Sequence, residues 1–66
     1  MDIKTKLWEK IRKLRKLKNI SQEELASRAK LHRTYLSAVE RGQKNISVEN
    51  IEKVAIALEC EVRELF

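Results

Sequence analysis

The chain has no proline, one glycine, one cysteine and one histidine among its 66 residues, and only three aromatics, Trp8, Tyr35 and Phe66. Each scarcity excludes something. Without proline, and with Gly42 the single residue lacking a Cβ, only short polar turns interrupt the periodic segments, so the expected fold is all-α. Cys60 alone cannot build a disulfide framework, and with His32 as the only histidine no zinc set can form. No metal or cofactor is therefore expected. Three dispersed aromatics offer no stacking platform for RNA. No apolar run reaches signal-peptide or membrane-spanning length, which predicts a protein of the reducing cytoplasm with no membrane partner.

What is present is charge. Hydrophobic residues make up 42% of the chain and charged residues 38%, a balance that suits a surface-rich helical domain. A chain this short buries only about 60% of the surface its unfolded form exposes, so a single domain, 1–66, with help from a second copy is expected. Residues 1–45 carry 13 Lys and Arg against 5 Asp and Glu, whereas residues 46–66 carry 2 against 5. The basic part is the electrostatic footprint of a phosphate-bearing partner, because neutralising phosphates releases counterions. An anionic membrane is the weaker reading, since only residues 6–18 approach a basic amphipathic helix.

Leu7, Ile11, Leu14 and Lys18 recur at spacings of four, three and four, so a first helix is read over Lys6 to Leu17, with an apolar stripe that also includes Trp8. Lys10, Arg12, Lys13 and Lys16 cover its other face; they read as a solvated surface, with long-range attraction to DNA as the alternative. Ser21-Gln22-Glu23-Glu24 is a capping box that starts a second helix, whose narrow inner face is Leu25, Ala26 and Ala29 and which ends near Lys30. Leu31, Leu36 and Val39 mark a third helix stopped by Gly42. After the polar turn Gln43 to Ile46, Ser47 caps a fourth helix with Val48, Ile51, Val54, Ala55 and Leu58 inward, and a short fifth helix is read at about Val62 to Leu65.

Two short helices joined by three or four residues, the first opening Ser-Gln-Glu-Glu-Leu-Ala and the second closing Glu-Arg-Gly, match a helix-turn-helix over about 21–42. Over about residues 7–66 the sequence, with "IRKLRKLKNISQEELASRAKLHRTYLSAVERGQKNISVENIEKVAIALECEVRELF", resembles the lambda-repressor-like Cro/C1, or XRE, family. Within it, "RTYLSAVERGQKNISVENIEKVAIAL" looks most like the controller proteins of restriction-modification systems, which are dimeric regulators. The resemblance implies a five-helix DNA-binding domain that regulates transcription from a palindromic double-stranded operator, with the third helix in the major groove.

Carried onto matching positions, the resemblance implies base contacts from Arg33, Thr34 and Ser37. Arginine binds guanine O6 and N7 bidentately, and the threonine methyl meets a thymine methyl. It implies phosphate contacts from Gln22, His32, Tyr35, Arg41, Lys44 and Asn45, which position the domain without reading sequence. Arg15 and Glu40 match a buried ion pair between the first and third helices. Lys30 stands where relatives often have glycine, and His32 where they have a small polar cap; a left-handed Lys30 would be strained by roughly 1 kcal/mol. The surplus of apolar residues towards the C-terminus, Ile51, Val54, Val62, Leu65 and Phe66, points to a homodimer interface within about 47–66.

No nucleophile is paired with a base, so an enzyme is not expected. A second reading from another class is an antitoxin or other protein-interaction module, since one fold hosts several roles. The acidic Glu59, Glu61 and Glu64 read as a solvated face, with RNA polymerase as the alternative partner.

Overall fold

The computed structural model describes residues 3–66, with side chains described from Thr5 onward; residues 1 and 2 of the expected domain lie outside the described residues. Four α-helices, α1 (Ile3–Leu17), α2 (Gln22–Ala29), α3 (Arg33–Glu40) and α4 (Val48–Ala57), are followed by one 3-10 turn, Val62–Leu65, with no strand among the described residues. Helix α1 starts three residues before the expected Lys6, because nothing in Ile3-Lys4-Thr5 breaks a helix. The expected fifth α-helix is corrected to that 3-10 turn. Its four residues are held by a reciprocal capping box between Glu61 and Glu64, and one turn is too short to settle into α geometry on its own.

Helix α2 packs against both α3 and α4, while α1 packs on α3 and on the C-terminal turn, which also meets α4. Ala26 and Ala29 are buried on α2, and their small side chains allow this close double contact. Ile11, Leu25, Leu36, Val54, Leu58 and Leu65 are fully buried and join all five elements into one core. Each such side chain contributes about 1.5–3 kcal/mol relative to exposure.

Every α-helix ends in the same way. Asn19, Lys30, Gly42 and Glu59 adopt positive φ of 56°, 59°, 73° and 56°. In each case the left-handed residue donates its N–H three residues back and the next residue donates five back: Ile20 to Arg15, Leu31 to Ala26, Gln43 to Ala38 and Cys60 to Ala55. This is the Schellman termination, and only one of the four carries the glycine that suits it. Lys30 thus takes the strained conformation, at a cost of about 1 kcal/mol, rather than altering the turn. Ser21 and Ser47 cap α2 and α4 by accepting from the N–H groups of Glu24 and Asn50. The reciprocal half of the expected Ser21 box does not form, because the Glu24 carboxylate accepts from Arg28 Nε at 3.0 Å instead.

Two expectations about inward-facing residues are corrected. Val48 is 82% exposed, since it occupies the first position of α4 where the helix has not yet reached the core. Val54 and Leu65, expected at a dimer interface, are 0% exposed and spent entirely on the core of one chain, and Ile51 retains only an edge. Val62 and Phe66 do remain exposed, and Ile56 joins them on α4.

Candidate nucleic-acid interface

The face of α3 that does not enter the core carries Arg33, Thr34, Ser37 and Arg41 around one shallow open depression of about 170 Å³. Leu36 and Val39 are buried on the opposite side and fix which face turns outward. Arg33, Thr34 and Arg41 are exposed and Ser37 is half-buried. These four sequence-predicted residues are therefore brought together on one helical surface. Ala38 is also half-buried and adds no polar group there.

What holds α3 in place is a buried carboxylate. Glu40, 1% exposed, accepts from Arg15 Nε at 2.9 Å on Oε2 and from Arg15 Nη2 at 3.1 Å on Oε1. Arg15 Nη1 also donates to the Ile20 carbonyl at 2.9 Å, tying the end of α1 into the same knot. Gln22 Nε2 donates to Glu40 Oε1 at 3.1 Å. A primary amide has two N–H donors, so this bond aims Gln22 while leaving one donor for another acceptor. The expected ion pair is present, with Gln22 as its third member.

Beyond α3, Tyr35 organises the loop. Its hydroxyl accepts from Asn50 Nδ2 at 3.1 Å and donates to the Asn45 carbonyl at 3.4 Å, so its single proton is already committed. In this arrangement Tyr35 braces the loop rather than presenting a donor to phosphate. The Lys44 ammonium lies 5.9 Å from the centroid of the Tyr35 ring, within cation–π range. His32 sits at the N-cap of α3 with extended backbone, is exposed, and makes no side-chain cap bond. At the other end of the molecule, burial pushes the Cys60 thiol pKa up; nearby Glu64 adds to this and Lys18 opposes it.

A family model described as helix-turn-helix matches residues 11–65. The chain belongs to that helix-turn-helix family. Control protein C.BamHI of Bacillus amyloliquefaciens is 45% identical over 65 residues, spanning 97% of this chain and 80% of that protein. The crystal structure of the restriction-modification controller protein C.AhdI from Aeromonas hydrophila superposes with a TM-score of 0.92 at 49% identity, covering 96% of each chain. Controller protein C.Esp1396I, solved bound to a 19 base pair DNA duplex, superposes with a TM-score of 0.91 at 32% identity over 100% of this chain and 88% of its own. The resemblance to controllers read from residues 33–58 therefore holds. Among the described residues of this helix-turn-helix protein, no helix is long and apolar enough to cross a membrane.

Sequence reasoning missed Asn50 as the partner of Tyr35, and it missed Trp8 beneath Gly42.

Proposed function

We propose that the chain is a sequence-specific double-stranded DNA-binding regulator of the restriction-modification controller type. It binds as a homodimer, with α3 of each copy in a major groove. The observation that carries this is the polar outer face of α3. Arg33, Thr34 and Ser37 project from a helix whose inner face is locked by Glu40, Arg15 and Gln22. A locked helix presents its side chains in fixed register, which base readout requires. Arg33 reads guanine, Thr34 and Ser37 read neighbouring base edges, and Gln22, Arg41, Lys44, Asn45 and His32 hold the backbone.

The molecule measures 28 × 22 × 21 Å and carries one such helix. One DNA turn is about 34 Å, so one copy covers one half-site and a palindrome needs two. The second copy would cover apolar side chains left exposed on α4 and the C-terminal turn, Val48, Val62 and Phe66 among them. On this reading the cytoplasm is the compartment.

Selection of bound sequences from a random duplex pool, followed by titration between 50 and 200 mM salt, tests the proposal. The expected result is an imperfect palindrome and an affinity that falls steeply with salt. Affinity insensitive to salt, or sequences without dyad symmetry, would refute it. Sedimentation showing a strict monomer at high concentration would defeat the dimer.

A further inference from the structure

A run of contacts links α1 to the turn that ends α3. Trp8 lies against Gly42, where an added Cβ would stand 3.0 Å from indole Nε1 and 3.1 Å from Cε2. Gly42 also has φ of 73°, so this turn needs glycine both for its backbone and for the indole beneath it. One helical turn along α1, the Arg12 guanidinium carbon lies 5.4 Å from the Trp8 ring centroid. On the far side of Gly42, Lys44 and Trp8 line the same small cavity, and the Lys44 ammonium lies over Tyr35. Two cations are thus held on aromatic faces to either side of one glycine turn.

The arginines outside α3 and its C-cap show why this matters. Arg15 is spent on Glu40, while Arg28 and Arg63 are paired with Glu24 and Glu61. Arg12 makes no ion pair among the described residues and is half-exposed. An arginine over an indole face keeps its five N–H donors at the edge of the guanidinium. The ring therefore restricts the side chain without consuming its hydrogen-bonding capacity.

We infer that Arg12 is a contact to the DNA backbone on α1, positioned by Trp8, so that the phosphate track of Arg41 and Lys44 continues past Gly42 onto the first helix. This rests on α3 lying in the major groove as proposed above. The ligand is a phosphate of duplex DNA flanking the bases that α3 reads. Trp8 acts through Arg12 and is a positioning residue. Lys10, Lys13 and Lys16, with no aromatic support, remain solvated cations.

The test uses the full chain and a duplex that the wild type recovers from a random pool. Trp8 is the only tryptophan, so saturating duplex should protect its emission from acrylamide quenching. Arg12→Gln should reduce the slope of log affinity against log salt by about 0.9, which is about fivefold in affinity at 0.15 M salt. Arg12→Lys should keep the slope. Trp8→Leu combined with Arg12→Gln should lose no more slope than Arg12→Gln alone, with folding of each variant checked by circular dichroism. A folded Arg12→Gln variant with the wild-type slope, on a duplex the wild type binds, overturns this assignment and leaves the helix-turn-helix reading standing. A wild type that recovers no duplex overturns both.

Discussion

Replacing Arg15 by leucine removes both donors that Arg15 gives to the Glu40 carboxylate. Glu40 is 1% exposed and then keeps only the Gln22 amide, at 3.1 Å on Oε1, with Oε2 unpartnered. Breaking a buried pair by deleting one partner costs about 3–5 kcal/mol. The Ile20 carbonyl, which Arg15 Nη1 serves at 2.9 Å, is stranded as well, adding about 1 kcal/mol. A 66-residue chain has a total stability of only about 3–10 kcal/mol at ~0.05–0.15 per residue, so Arg15→Leu should leave the chain at the edge of unfolding at 25 °C. Removing both charges is different. Arg15→Leu with Glu40→Leu loses the pair but buries no lone carboxylate, and such replacements are often neutral; the double variant should retain only the Ile20 cost, about 1 kcal/mol. Urea denaturation followed by far-ultraviolet circular dichroism reads all four corners of the cycle, with the midpoint moving by several molar for the single variant at about 1 kcal/mol per molar. Additive effects, or an Arg15→Leu cost under about 1 kcal/mol, comparable to an exposed pair, would refute the claim that this knot locks α3.

Four further outcomes are expected. Arg33→Ala should cost about 1–3 kcal/mol at one base position and relax selectivity there; competition against single-base variants of the selected site checks it, and equal loss on random DNA would contradict it. Lys44→Ala should weaken specific and random duplexes alike, by about fivefold at 0.15 M salt, with the salt slope reduced by about 0.9. Lys30→Gly relieves a left-handed lysine at φ 59° and should stabilise by about 0.5–1 kcal/mol after the entropy of the unfolded glycine is counted, raising Tm by about 2–8 °C; a lower Tm would show that the strain is absent. Because burial raises the Cys60 pKa, its alkylation at pH 8 should be slower than that of a free cysteine and should accelerate in urea.

The four α-helices and their order were legible because each has a local cause, whereas the expected fifth is a 3-10 turn. Ser21 and Ser47 cap, apolar residues recur at helical spacing, and Gly42 stops α3. The outward residues of α3 followed from the buried Leu36 and Val39, since helical period fixes one face once the other is known. Which apolar residues are surplus was not legible. Val48, Val54 and Leu65 look alike in one dimension, yet Val48 lies at a helix start in solvent and the other two close the core.

The sequence by itself determined an all-helical chain with a basic N-terminal part and a helix-turn-helix over about 21–42, because charge, capping and periodicity act over a few residues. Only the tertiary structure decided that Gln22 donates to Glu40, that Tyr35 spends its proton on Asn45, and that Trp8 lies beneath Gly42. These contacts join residues 10 to 34 positions apart, and their geometry comes from how the helices pack rather than from any local pattern.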